Sequence, residues 1–252
     1  MRRFTTFTAA STALLASLLL ASCAELGTPA VPIRTLELTP RRPGNCLVVL
    51  LPGRFAEPEG FANARWADSV FARGLHADLV AVDAHLGYYR TRTIIERLKK
   101  DVVDPARAAG YDEIWIAGTS LGGLGGLIYL KEHPGDVAGV VAIAPFLGDE
   151  KVIDEIEAAG GPVGWRAPET IADDDVGRTI WSWLSRGRPG AESVPVYLGW
   201  GTSDGFDRSN RLLAGMLPPE RVYPVSGKHD FGAWTLVWDE FLDRARPYEG
   251  GR

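Results

Sequence analysis

Three side chains far apart in the chain have the types and settings needed to attack a carbonyl carbon: Ser120, Asp204 and His229. A serine hydroxyl is a weak nucleophile until a neighbouring base takes its proton. Histidine suits that task because it changes charge near neutral pH, and a carboxylate on its other ring nitrogen holds the required tautomer. Ser120 is the centre of Gly118-Thr119-Ser120-Leu121-Gly122. The residues before it, from Glu113 to Ala117, read as a buried strand, and Leu121 to Glu132 read as a helix. A serine at the apex of such a sharp turn is held in a strained backbone conformation that lifts its hydroxyl above the sheet edge. Side chains two residues to either side would collide there, which gives Gly118 and Gly122 a physical reason. The helix beginning at the serine points free N–H groups at the place where an oxyanion would form.

Val194 to Trp200 reads as a buried strand running into Gly201-Thr202-Ser203-Asp204. An acid just beyond the carboxyl end of a strand lies on the edge where open α/β sheets place their sites. Asp207 competes for the role, and Asp204 is nearer the strand end. Arg221 to Val225 reads as a further strand, followed by Ser226-Gly227-Lys228-His229-Asp230 and an amphipathic helix from Phe231 to about Arg246. Among the other histidines, His133 precedes Pro134 at a helix end and suits a capping role, and His76 has no motif around it. His85, Tyr88 and Tyr89 follow a strand ending near Val82, so they are candidate substrate contacts.

The order Ser, Asp, His along the chain, with the Gly-x-Ser-x-Gly turn, resembles the α/β-hydrolase superfamily over roughly Cys46 to Tyr248. The resemblance implies a mostly parallel central sheet with helices on both faces. It also implies Ser120 as nucleophile, His229 as base and Asp204 as its acid. Cys46 to Arg54 (CLVVLLPGR) looks like the strand and loop that supply the second half of the oxyanion hole. Many members carry His-Gly there, and this chain has Pro52-Gly53. The implied donors are the N–H groups of Leu121 and Arg54, with Phe55 the alternative to Arg54. Arg54 leaves two readings open: attraction of an anionic group on the substrate, or a surface salt bridge.

The elements needed to position these residues alternate along the chain. Expected strands lie near Ile33 to Leu38, Leu47 to Leu51, Asp78 to Val82 and Val137 to Ile143. Expected helices run from Gly60 to Arg73, with Phe61, Trp66, Val70 and Phe71 facing the core, and from Tyr89 to Ala109. The second carries Ile94, Ile95, Leu98, Val102 and Val103 at helical period, with Pro105 able to kink it. Strand–helix alternation of this kind implies a parallel sheet covered on both faces. Residues 149–193 interrupt it, too long for a simple connection, and hold Trp165, Trp181, Trp183 and the run Asp173-Asp174-Asp175. By the resemblance this is a cap-like insertion, making Trp165 and Trp181 candidate substrate contacts; the alternative is a surface excursion whose tryptophans pack down. The acidic run lacks the alternating spacing and glycine of a calcium loop. No Cys/His cluster suggests zinc, and the resemblance calls for no metal or cofactor.

Arg2-Arg3 followed by the uncharged, small-residue stretch Ala9 to Ala21 has the form of an export signal and is too short to span a bilayer. It ends Leu20-Ala21-Ser22-Cys23, which resembles the lipobox of bacterial lipoproteins. The implied organisation is a signal peptide over residues 1–22, a proline-rich tether over 23–45 and one domain over 46–252. Cys23 would be lipidated and anchor the domain to a membrane. With Ala24 rather than Asp following, that would be the outer membrane, facing the periplasm, in a Gram-negative cell. Loss of residues 1–22 removes two of 27 basic residues and none of 32 acids, for a formal charge near −7. A net acid without a basic patch argues against nucleic acid as a partner. Cys46, the only other cysteine, is expected as a buried thiol. The implied activity is hydrolysis of a small-molecule or lipid ester or thioester. An acyltransferase using the same residues, and a non-catalytic surface lipoprotein on the same scaffold, are the alternatives.

Overall fold

The computed structural model describes residues 27–41, 46–187 and 194–245. The expected signal peptide and Cys23 lie outside the described residues, as do 42–45 of the tether and 188–193 of the insertion. No helix among the described residues is long and apolar enough to cross a membrane.

Seven strands form one sheet: β1 (Thr35–Glu37), β2 (Cys46–Leu51), β3 (Ala77–Val82), β4 (Glu113–Thr119), β5 (Gly139–Ile143), β6 (Val196–Gly201) and β7 (Val222–Val225). Their spatial order is β1-β3-β2-β4-β5-β6-β7. β1 is antiparallel to β3 and every other pairing is parallel. β2, β3 and β5 are buried along their whole length, as expected of Val/Leu-rich strands covered on both faces. Cys46 opens β2 as the buried thiol, and burial pushes its pKa well above the ordinary thiol range.

The chain leaves β3, passes over β2 and re-enters the sheet at β4. Strand order therefore reverses between β2 and β4, and crevices at such switch points are where open α/β sheets hold ligands. Leu51, the last residue of β2, lies in register with Gly118 of β4, so the loop after β2 rises directly beside Ser120.

Helices α1 (Glu59–Asn63) and α2 (Trp66–Ala72) replace the single helix expected over Gly60 to Arg73. Arg65, with φ of 59°, adopts the left-handed conformation between them. Phe61, Trp66 and Val70 are buried as expected, but Phe71 is 46% exposed. One residue beyond Val70 turns the side chain about 100° round the helix, away from the core. α3 (Leu86–Arg90) is separate from the next helix, so the long helix expected from Tyr89 is corrected as well. That next helix begins as α4 (Ile94–Arg97), widens into a π turn over Leu98–Val103 and ends as α5 (Asp104–Ala108). Pro105 has no N–H for the carbonyl four residues back, and the π turn immediately before it absorbs that loss. The buried positions Ile94, Ile95, Leu98, Val102 and Val103 are those the periodicity predicts.

α6 (Leu121–Glu132) follows the nucleophile strand and is buried over most of its surface. The connection from β5 to β6 contains α7 (Glu150–Ala158) and α8 (Val176–Gly187). After β6 come α9 (Asp207–Ala214) and a short 3-10 turn over Pro219–Arg221, and α10 (Phe231–Ala245) closes the described chain. Trp66 of α2 and Trp238 of α10 stack with ring centroids 4.9 Å apart, joining the two helices on one face of the sheet.

Candidate active site

The turn between β4 and α6 is built from backbone constraints. Ser120 has φ 54° and ψ −115°, a conformation that side-chain-bearing residues avoid. Three hydrogen bonds hold it there. The Ser120 N–H donates to the Ile143 carbonyl at 2.8 Å, and the Ser120 carbonyl accepts from Leu124 at 3.2 Å and Phe146 at 3.1 Å. A Cβ on Gly118 would lie 2.2 Å from the Gly122 carbonyl oxygen, and one on Gly122 would lie 2.1 Å from that of Leu51. Both contacts are with main chain, which cannot swing aside as a side chain can.

The acid and the base meet across a second close approach. Gly201, at the end of β6, is in register with Val225 of β7. A Cβ on Gly201 would sit 2.5 Å from the Gly227 carbonyl oxygen. Because none is present, the two loops bond along their backbones: Thr202 N–H donates to Val225 O and Ser203 N–H to Gly227 O, both at 2.8 Å. Asp204 and His229 then face one another.

His229 Nδ1 lies 2.7 Å from Asp204 Oδ2, and His229 Nε2 lies 2.9 Å from Ser120 Oγ. A carboxylate accepts and does not donate, so Nδ1 carries the proton. Nε2 is then left with a lone pair for the Ser120 hydroxyl. The other Asp204 oxygen accepts the Phe206 N–H at 2.7 Å. The Asp204 side chain has no exposed surface, whereas that of His229 is 32% exposed. The acid is therefore buried behind a partly exposed imidazole. Asp207, the competing acid, is engaged elsewhere: it accepts from the Trp200 indole at 2.7 Å and from Arg211 at 2.7 Å.

The start of α6 and the loop after β2 both border Ser120. The first N–H groups of any helix have no intrahelical acceptor, and Leu121 is the first residue of α6. On the β2 side, a Cβ on Gly53 would come 3.2 Å from Ser120 Cβ, so that loop lies against the serine. Ala56 N–H donates to Gly53 O at 3.1 Å, closing a turn with Arg54 and Phe55 at its centre.

Three aromatic residues the motif does not point to cluster beside His229. Phe206 packs edge-on to the imidazole at 4.8 Å, and Trp234 of α10 does so at 5.1 Å. Phe146 packs on Phe206 at 5.6 Å. Trp234 also reaches the Gly53 position, where a Cβ would lie 3.7 Å from its ring. It therefore braces both the base and the β2 loop. The spacing Asp204-x-Phe206 and the first turn of α10 carried the only sequence signal for these contacts.

The other expected substrate contacts are engaged by the fold. Tyr88 is 1% exposed, and its hydroxyl bonds the N–H and carbonyl of Ala30 at 2.9 and 3.0 Å, pinning the segment before β1. The Tyr89 hydroxyl is buried against α6, where a Cβ on Gly125 would meet it at 2.4 Å; burial pushes its pKa up. His85 caps α3 by accepting the Gly87 N–H at 3.2 Å and packs on Tyr88. Trp181 has no exposed surface and donates its indole N–H to Leu147 O at 2.7 Å, and Trp165 is 5% exposed. These side chains spend their surface on the fold.

The described part of the β5–β6 connection is two packed helices. Arg178 ties α8 to α7 through Glu155, and Arg208 ties α9 to α7 through Asp154 and Glu157. Asp173, in the acidic run, faces Arg92 at 3.5 Å. A cavity of about 360 Å³ opens between the far ends of α6 and α8, lined by Lys131, Trp183 and Arg186 among others. Lys131 is ten helical steps from Leu121, about 15 Å along α6, so this cavity is remote from Ser120. Among the described residues no group of acids, histidines and cysteines is arranged to hold a metal ion.

Solved structures share this architecture. A ferulic acid esterase superposes with a TM-score of 0.56 at 17% identity, over 83% of this chain and 87% of that one. An esterase from the hyperthermophilic archaeon Pyrobaculum calidifontis gives 0.55 at 14% identity, over 93% and 91%. An S-formylglutathione hydrolase from Staphylococcus aureus gives 0.53 at 14% identity, over 81% and 82%. The chain has the α/β-hydrolase fold. No protein-family profile matches it, and no curated protein does. At these identities the likeness to the α/β-hydrolases is one of fold, and the chemistry is argued from the site.

Proposed function

We propose that the protein is a serine hydrolase cleaving carboxylic esters or thioesters through an acyl-enzyme. The observation that carries this reading is the continuous hydrogen-bonded chain from Asp204 through His229 to Ser120. The names of its structural neighbours, esterases and an S-formylglutathione hydrolase, point the same way.

In the proposed reaction Ser120 Oγ bonds to the carbonyl carbon while its proton passes to His229 Nε2. The carbonyl π electrons move to oxygen. The backbone N–H groups of Leu121 and Arg54 receive that oxyanion, and losing one such donor typically costs about 10²–10³ in turnover. The intermediate collapses by breaking the bond to the leaving oxygen or sulfur, which takes the proton from His229. Water then attacks the acyl-enzyme, His229 accepts its proton, and the proton returns to Ser120 Oγ as the acid departs. Asp204 stays ionised throughout, holding Nδ1–H and stabilising the imidazolium. The chemistry of this sequence requires no cofactor.

A chain-length panel of p-nitrophenyl esters tests the reading on the domain beginning after Cys23. Turnover that disappears in His229→Ala supports it. Equal turnover in that variant sinks it. Adding alcohols to the assay separates hydrolysis from acyl transfer by the product formed.

We further propose that Cys23 carries an acyl anchor holding this domain at a membrane surface after export. Metabolic labelling with an alkynyl palmitate, lost in Cys23→Ala, is the expected result; label retained in that variant contradicts it.

A further inference from the structure

Arg54 differs from most arginines of the fold. Arg34, Arg73, Arg97, Arg178 and Arg208 each hold at least one carboxylate. Arg54 holds none among the described residues: its guanidinium lies over the Phe55 ring, 4.8 Å from the centroid, with no ion pair to any described residue. Phe55 is itself 79% exposed, the most exposed of the large apolar side chains among the described residues. Burying a phenylalanine ring is favourable, and this one is left in water. The pair sits at the centre of the turn after Gly53, against Ser120. A second exposed cation without an ion pair to a described residue, Lys228, immediately precedes His229. The acids nearest in sequence are Glu57, which makes no ion pair with a described residue, and Asp230, whose carboxylate accepts the Ala233 N–H at 3.0 Å.

No described residue therefore forms the salt bridge that would have explained Arg54 as a surface residue. Stacking on an aromatic face restricts where the guanidinium travels and leaves its N–H edge free for an anion. Resting on the serine hydrolase reading, we propose that Arg54, held on Phe55, recognises an anionic group on the substrate. The preferred substrates are then esters or thioesters bearing a carboxylate or phosphate a few bonds from the scissile carbonyl. This role belongs to the Arg54 side chain and is separate from that of its backbone N–H.

Two substrate pairs test the proposal and locate the charge. On the acyl side, p-nitrophenyl hydrogen glutarate is compared with its neutral isostere p-nitrophenyl 5-methylhexanoate. On the alcohol side, 4-acetoxybenzoate is compared with 4-isopropylphenyl acetate. The readout is the charged-to-neutral ratio of kcat/KM in wild type and in Arg54→Gln. In at least one pair that ratio falls about tenfold in the variant, mostly through KM, as loss of a hydrogen bond to a charged group implies. Phe55→Ala lowers the same ratio by a smaller factor. Added salt lowers it in wild type and leaves Arg54→Gln unchanged. If both pairs keep their ratios in Arg54→Gln while esters are still cleaved, the anion proposal is wrong and the hydrolase reading stands. If wild type cleaves no ester of either pair, both fall.

Discussion

The loops at the carboxyl edge of the sheet and the connection from β5 to β6 are held in place by different forces. At the edge, the chain is positioned by main chain. Ser120 is tied to Ile143, Leu124 and Phe146, and the turns after β6 and β7 are bonded to one another through Thr202 and Ser203. Glycines permit approaches that no side chain could survive. In the connection, position comes from side chains: Trp181 fills the core from α8, the largely buried Arg178 bridges α7 to α8, and the half-exposed Arg208 bridges α7 to α9. Main-chain bonding fixes an atom to within a few tenths of an ångström, as a hydrogen-bonded site requires, and packing fixes a helix more loosely. The comparison predicts that edge substitutions change chemistry at little cost in stability, except at the glycines, and that connection substitutions do the reverse.

The widest separation is expected between two acids of the same loop. Asp204→Asn removes the acceptor that orients Nδ1–H and lowers kcat about 10⁴-fold, or about 5.5 kcal/mol in barrier. Asp207→Asn removes a partner of Trp200 and Arg211 and leaves kcat within a few-fold. Steady-state kinetics on a p-nitrophenyl ester distinguishes them, and equal losses would break the assignment of Asp204.

Trp181→Ala tests the connection. Removing a fully buried indole costs about 3–5 kcal/mol of stability. Urea denaturation should show that loss while kcat at low temperature stays within a few-fold. A large fall in kcat with stability intact would restore Trp181 as a substrate contact.

Gly122→Ala joins the two regions, since its Cβ would strike the Leu51 carbonyl rather than a movable side chain. It should cost about 3 kcal/mol and depress activity as well, because the elbow and the β2 loop are forced apart. A variant of wild-type stability would show that the two backbones do not approach so closely. The smallest effect belongs to Phe71→Ser, expected within about 0.5 kcal/mol because the ring faces water. A destabilisation above 2 kcal/mol would place Phe71 in a packed interface.

The same division explains what the chain discloses when read as a string. Ser120, Asp204 and His229 were legible because each sits next to a strand end, and the glycines around Ser120 report a local steric demand. The strands and the buried positions of α4 and its π turn were legible from periodicity. Tyr88 and Tyr89 were candidates because they follow a strand end, and Trp181 because it lies in the insertion; the structure turns Tyr88, the Tyr89 hydroxyl and Trp181 into the fold, a direction only tertiary packing sets. The break at Arg65 carries no glycine or proline to announce it. Phe206, before α9, and Trp234, in α10, reach His229 only once the chain folds, and nothing local to either demanded an aromatic ring. Arg54 was ambiguous for the same reason: whether a surface cation is paired depends on groups brought near it from elsewhere.

The central claim, that Ser120 is activated as a nucleophile by His229, is tested most directly by labelling with a fluorophosphonate and locating the adduct by mass spectrometry. The account predicts one adduct per chain, on the peptide containing Ser120, absent from Ser120→Ala and strongly slowed in His229→Ala. An unlabelled wild type, or an adduct that persists in Ser120→Ala, would contradict it.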